Sequence, residues 1–227
     1  MKLLNEEQIQ KESKKNVAEE SFIYKRRVYC FIKRLLDIIC SLVGLIVLIP
    51  IFLIIAIAIK LDSKGPIFFK QKRLGLRGKN INIYKFRTMV INAEEMINNF
   101  SEEQKKEYEE NFKLKNDPRI TKIGKFLRNT SLDELPQLLN ILKGDINIVG
   151  PRPIVNDELH LYGSYAKKFL SIKPGITGYW QTNGRSSTSY EDRVKMDMYY
   201  IDNRNLLLDI KIIFKTVGVL FGDKNAM

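Results

Sequence analysis

The sequence predicts an α+β chain, mostly helical, attached to a membrane from one side: a monotopic protein with an N-terminal re-entrant helical hairpin and a small β-hairpin. Three observations predict it. Residues 38–59 carry no charge but contain Pro50, residues 67–73 and 81–87 are short β-like runs around glycines, and apolar residues recur at helical spacing through much of the rest.

The uncharged stretch has 22 residues between Asp37 and Lys60. As one helix it would be about 33 Å long, enough to cross a bilayer core. Pro50 removes a backbone hydrogen bond inside it, which favours two arms, 38–49 and 51–59. Five basic residues lie on the N-terminal flank (Lys25, Arg26, Arg27, Lys33, Arg34) and seven on the other (Lys60, Lys64, Lys70, Lys72, Arg73, Arg77, Lys79). A straight span would have to translocate one of these flanks, whereas a helix broken at Pro50 returns both to the cytoplasmic face. A kinked span is the other reading, because spanning helices tolerate proline. Ala56-Ile57-Ala58 resembles a cleavage triplet, but the run before it is too long and too late for a secretory signal, so the segment is expected to be retained.

The chain has 227 residues, which leaves one domain of about 170 beyond the apolar stretch. The expected division is a charged extension over 1–24, an interfacial and re-entrant membrane segment over 25–64, and a cytoplasmic domain over 65–227. A net charge of +12 suits anionic membrane lipid, nucleic acid or phosphorylated substrates. The basic residues cluster against the membrane stretch, so no nucleic-acid partner is expected. Cys30 and Cys40 form neither a disulfide framework nor a zinc set, which fits a reducing cytosolic face.

In chain order, residues 1–20 mix Lys and Glu and read as a frayed helix or disorder. Residues 22–36 interleave apolar and basic residues, as an interfacial helix with snorkelling cations does. The β-hairpin follows, with Lys85 and Arg87 at the end of its second strand as candidate phosphate contacts. Residues 92–115 are acidic, with Met96/Phe100 and Tyr108/Phe112 marking one helical face. Ile120, Ile123 and Leu127 give a further helical stripe over 119–128.

The chemistry concentrates next. In Ser131-Leu132-Asp133-Glu134-Leu135-Pro136-Gln137, Ser131 and Glu134 have capping-box spacing and Asp133 suits a first-turn dipole, so local physics alone would leave both carboxylates structural. Gly144 supplies a helix stop, and a strand-like run over 146–149 leads into Gly150-Pro151-Arg152-Pro153. Flanking prolines hold Arg152 on a stiff backbone, as a guanidinium gripping phosphate requires. Two carboxylates with Arg128 and Arg152 nearby make a site for a metal-bound diphosphate.

Lys85-Phe86-Arg87-Thr88-Met89, Ser131 to Gln137, Leu142-Lys143-Gly144-Asp145, Gly150 to Pro153 and Lys173-Pro174-Gly175-Ile176-Thr177-Gly178 occur in the order seen in bacterial sugar transferases. The chain resembles a monotopic polyprenyl-phosphate phosphoglycosyl transferase, of the undecaprenyl-phosphate hexose-1-phosphate transferase kind, over roughly residues 33–219. The resemblance implies a protein of the bacterial cytoplasmic membrane with its catalytic domain on the cytoplasmic face. Its substrates would be a UDP-sugar and undecaprenyl phosphate, its cofactor Mg2+, and its nucleophile Asp133, forming an aspartyl phospho-sugar. Glu134 would assist as acid/base or at the metal, which would rest on Asp133 and Glu134. Arg128, Arg152 and Lys85 would hold phosphate oxygens. Some relatives carry Ser before the helix-breaking proline, where this chain has Ile49, which removes one stabiliser of the bend. The acidic segment is longer than in the smallest relatives.

Towards the C-terminus, residues 163–172 read as a cationic helix, and lone His160 as structural. Gly178 to Arg185 mixes aromatic, amide and cationic groups, with Arg185 a candidate phosphate or sugar contact. Glu191, Asp192 and Asp197 read as a solvated face, and residues 206–221 as an interfacial or core helix. A direct single displacement would use the same motifs, and a non-catalytic basic membrane adaptor would explain charge and anchor alone. The sequence names neither the sugar nor the oligomeric state, and a homodimer stays open.

Overall fold

Pro50 has no N–H to offer Ile46, and the helix breaks where that bond is missing. In the computed structural model, which describes residues 6–111, 114, 116–184 and 188–222, α1 (Glu6–Val47) ends two residues before α2 (Ile49–Asp62) begins. Pro50 sits in the first turn of α2, where an N–H is not required. The arms are bent by 61°. The break expected at Pro50 is thus formed, and the bent pair is compatible with either a re-entrant segment or a broken span. No single described helix is long and apolar enough to cross a membrane; the bent pair meets that test only jointly. α1 also runs without interruption through residues 24 and 25, across the expected edge of the charged extension.

One face of this pair is left uncovered, with Phe31 72% and Leu61 84% exposed. The opposite face docks on the rest of the chain. Ile55 and Ile59 pack with Phe86 and Leu127, and Arg34 donates to the carbonyls of Ile141 (2.6 Å) and Leu142 (2.8 Å) at the end of α5 (Gln137–Lys143). Asp37 accepts from the Ile148 N–H at 3.2 Å.

β1 (Phe68–Leu74) and β2 (Asn80–Phe86) pair antiparallel with Phe68 opposite Phe86, the expected hairpin. The acidic segment is not one helix. A 3-10 turn over Glu95–Asn99 and α3 (Glu102–Asn111) are separated at Phe100 and Ser101, where Ser101 and Gln104 cap each other reciprocally at 3.1 and 3.2 Å. Phe100 and Tyr108 clasp the Arg119 guanidinium, 5.1 Å from each ring, while Asp117 grips it at 2.6 and 2.8 Å. Phe112 lies outside the described residues. α4 (Lys122–Asn129) is capped by Thr121. Its Gly124 lies so close to Thr88 that a Cβ would be 2.1 Å from the Thr88 carbonyl oxygen.

α5 ends at Gly144 in the left-handed conformation (φ 84°), as the stop signal required. β3 (Asn147–Val149) then pairs parallel with β4 (Gly175–Thr177), a strand the sequence reading left inside a motif. The helix expected over 163–172 shrinks to α6 (Ala166–Phe169), after a 3-10 segment over Asn156–Tyr165 that kinks at Gly163. His160 is exposed and contacts the Asp157 carbonyl. α7 (Tyr179–Asn183), α8 (Tyr190–Asn203) and α9 (Leu206–Gly222) complete the chain. α9 has a buried side, with Ile212 in the core, and an exposed one, with Phe214 73% exposed.

Asp197 corrects the sequence reading. It is not on a solvated face but fully buried in the cluster of Leu74, Ile154, Tyr162, Phe169, Val194, Met198 and Ile201, accepting from the Tyr162 hydroxyl at 2.8 Å. Burial pushes its pKa up to about 7, against a smaller lowering by the Tyr162 hydrogen bond. An acid whose folded pKa is raised binds an extra proton when folded, so stability falls as pH rises from about 4 to 7 and stays lower above. Asp197→Asn, which keeps an acceptor for Tyr162, is therefore expected to leave the unfolding free energy little changed at pH 4.5. At pH 8 it should raise it by a few kcal/mol, on the order of 1.4 per unit of pKa shift. Thermal melts across that range check it.

Candidate active site

Ser131 is where the local reading and the fold part. It adopts a left-handed conformation (φ 54°, ψ 15°) and caps nothing with its side chain, so the capping box is not formed. That conformation is unfavourable for a residue with a Cβ. It ends the run of α4 and throws Leu132–Glu134 into a separate 3-10 turn, and α5 starts only after Pro136. The carboxylates are thus displayed on a tight turn between two helices and not on the first turn of one. Pro136 is buried at the junction.

Asp133 and Glu134 point into different surroundings. Glu134 forms an ion pair with Lys85 at 2.8 Å and lines a cleft with Gln71, Arg73, Gln137, Arg152 and Gln181. Burial alone would raise its pKa, but Lys85, Arg152 and the hydrogen bonds from Lys85 and Gln137 outweigh burial and hold it below the usual carboxylate range. Asp133 is buried and makes no direct ion pair among the described residues. Its desolvation, aided by the neighbouring Glu134 charge, exceeds the pull of Lys85 and Arg128, and its pKa is raised. Adjacent carboxylates are so driven apart, one fixed as an anion and the other made the more basic.

The cations arrive from four elements. Along β2 only alternate residues face the cleft, so Ile83 and Lys85 line it beside Gln71 and Arg73 of β1. Arg73 was missed by sequence reasoning, which counted it among lipid-facing bases; period-2 alternation with Gln71 was the signal. Glu158 holds it at 3.1 Å. Arg152 is brought over the cleft by the seam of β3 and β4. There Gly150 donates to the Thr177 carbonyl (2.9 Å), Gly175 donates to the Pro151 carbonyl (2.8 Å), and a Cβ on Gly175 would be 2.1 Å from the Gly150 nitrogen. The two glycine- and proline-containing motifs are thus one structural unit. Arg128 projects from the last turn of α4 and donates to the Thr88 hydroxyl at 2.9 Å, close enough to Asp133 to act on its charge.

Arg87 does not join them. β2 ends at Phe86, and the Arg87 guanidinium turns back to the end of α2, donating to the carbonyls of Lys64 and Ser63 (2.8 Å) and to the Ser63 hydroxyl (3.0 Å). It is a buried clamp for the exit of α2. Arg87→Met is accordingly expected to lower the melting temperature by several degrees, from the loss of about 2–4 kcal/mol of charged hydrogen bonds. Arg185 lies outside the described residues.

A pair of carboxylates with separated basicity, set among Arg73, Lys85, Arg128 and Arg152 beside a cleft, is an arrangement suited to phosphorylated groups. More narrowly, the chain belongs to the bacterial sugar transferase family, whose model matches residues 28–223. It is 46% identical over 193 residues to an undecaprenyl-phosphate galactose phosphotransferase of Salmonella typhimurium, covering 84% of this chain and 40% of that protein. It is 44% identical over 204 residues to a UDP-glucose:undecaprenyl-phosphate glucose-1-phosphate transferase of Klebsiella pneumoniae, covering 86% and 41%. An exopolysaccharide production protein ExoY of Sinorhizobium fredii is 45% identical over 188 residues, 82% of this chain and 83% of that one. The chain therefore spans less than half of the first two and most of the third.

Proposed function

We propose that the protein transfers a sugar-1-phosphate from a UDP-sugar to undecaprenyl phosphate, giving undecaprenyl-diphosphate-sugar and UMP, the first membrane step of a surface polysaccharide. The observation that carries this reading is the buried, basic Asp133 carboxylate beside a cleft walled by Arg73, Lys85 and Arg152. An Asp133 oxygen attacks the sugar-bearing phosphorus, the bond to the bridging oxygen breaks, and that oxygen leaves with UMP. An oxygen of undecaprenyl phosphate then attacks the same phosphorus and returns the carboxylate. Desolvation keeps the attacking oxygen basic, and the cationic wall cancels the charge that would otherwise repel it.

Glu134 is held as an anion by Lys85, which suits fixing that ammonium in the cleft better than cycling a proton. Arg128 counters charge behind Asp133. The residues present fit a Mg2+: it is usually held by one or two carboxylates with waters and substrate phosphate filling its shell, and Asp133 has no ion-pair partner to displace. Asp133 and Glu134 would hold it, and when bound it supplies charge neutralisation on the phosphate oxygens. The uncovered apolar face of α1 and α2 supports residence in the cytoplasmic membrane, with the cleft on the cytoplasmic side where a nucleotide sugar is available.

The test is UMP release when full-length protein and Mg2+ meet a panel of UDP-sugars without polyprenyl phosphate. A burst stoichiometric with enzyme is expected from one donor. Turnover only after lipid is added would instead make the transfer a single displacement.

A further inference from the structure

Among the cleft residues Gln181 has a group that nothing among the described residues satisfies. Its Nε2 donates to the Ile176 carbonyl at 3.2 Å, which fixes which end of the amide is which, because a carbonyl can only accept. Its Oε1 is buried and has no hydrogen-bond partner among the described residues. The oxygen is seated against Gly178, where a Cβ would stand 2.8 Å from it, so the glycine leaves room for the amide to lie flat beside the β3–β4 seam. A buried acceptor without a donor is unfavourable and rare in folded proteins. Gln181 lines a cleft whose other polar walls include Arg73, Lys85, Glu134 and Arg152, where phosphates would find their cationic partners and gain nothing from a second acceptor.

We infer that Gln181 is a specificity-determining residue whose Oε1 accepts a hydrogen bond from a donor group of the nucleotide sugar, a sugar hydroxyl or the uracil imide N–H. The inference rests on the donor being a UDP-sugar, as proposed above. A neutral acceptor in this position accommodates a hydroxyl or N–H and rejects a group that can only accept. A site built to bond a hydroxyl discriminates strongly against the analogue without it, because its own buried group is then left unpaired. The Ile176 carbonyl on one side and Gly178 on the other set the orientation of the amide.

The test is a cycle of enzyme and substrate changes. Wild type and Gln181→Met, which keeps the side-chain length without the acceptor, are assayed for kcat/KM of UMP release with undecaprenyl phosphate present. The donors are the accepted UDP-sugar, its singly deoxygenated sugar analogues, and the N3-methyluracil analogue. The expected result is a loss of about 10- to 100-fold for Gln181→Met with the full donor, matched by one analogue, with no further loss when the two are combined. A deoxy sugar as the matching analogue places the sugar at Gln181; the N3-methyl analogue places the base there. Losses that simply multiply for every analogue, or no loss for Gln181→Met, would overturn the inference. If Gln181→Met does not fold, Gln181→Asn, one methylene too short, takes its place. Should wild type release no UMP, the reaction assigned above fails, and the same cycle run on Kd for the UDP-sugars still decides Gln181. No binding of any UDP-sugar overturns both.

Discussion

Asp133→Asn should abolish the UMP burst and depress steady-state transfer by about 10^3- to 10^6-fold, the range seen when a covalent nucleophile is removed. The amide has the shape of the carboxylate but cannot form the acyl phosphate. Loss of folding would mimic this result, and the site itself supplies the control. The charged form of Asp133 is disfavoured by burial, so removing the charge should leave the melting temperature unchanged or slightly higher. Glu134→Gln is different in kind. It releases Lys85 from its 2.8 Å ion pair without touching the attacking oxygen, so a burst should persist at a rate lower by about 10- to 100-fold. A variant pair with the opposite ranking would exchange the roles of the two carboxylates.

The largest effect on stability is expected at Asp209. Its carboxylate accepts from Lys33 at 2.6 Å, the Tyr29 hydroxyl at 2.9 Å and the Tyr200 hydroxyl at 2.8 Å, joining α1, α8 and α9 in one buried network. The Tyr200 hydroxyl shares its one proton between Asp209 and, at 3.2 Å, the Val149 carbonyl, so the network reaches the strand that leads to Arg152. The Lys33 and Asp209 side chains are 9% and 7% exposed. Asp209→Ala leaves the Lys33 ammonium and the Tyr29 hydroxyl without this acceptor and Tyr200 with the Val149 carbonyl alone, and breaking a buried pair from one side costs about 3–5 kcal/mol. Lys33→Met combined with Asp209→Leu removes both charges and should recover most of the loss, because the desolvation of the pair is removed with it. Denaturant or thermal unfolding in detergent reads both. Equal losses in the single and double variants would mean that packing, not the ion pair, holds α1 to α9.

What could be read along the chain was what depends on neighbours in sequence. Pro50 was legible as a break because its missing N–H acts four residues away. The β1–β2 hairpin was legible from alternation around Gly75 and Gly78, and the end of α5 from Gly144. Asp133 and Glu134 could be named from an ordered motif, yet local rules assigned Ser131 a cap it does not make. Arg87 shows the limit most plainly. In an extended strand it would share a face with Lys85, and only the end of β2 at Phe86 sends its guanidinium to Ser63 and Lys64.

The sequence by itself determined where the chain is apolar, where it breaks and where its carboxylates and cations cluster along the chain, because periodicity, proline and charge act over a few residues. The tertiary structure alone decided which charges are buried and with whom. Asp197 lies in the core and Asp209 clasps Lys33, while Arg73 joins the cleft and Glu134 is held by Lys85. Desolvation and ion pairing depend on groups tens of residues apart, and those distances do not exist until β1, β2, α5 and α9 have packed.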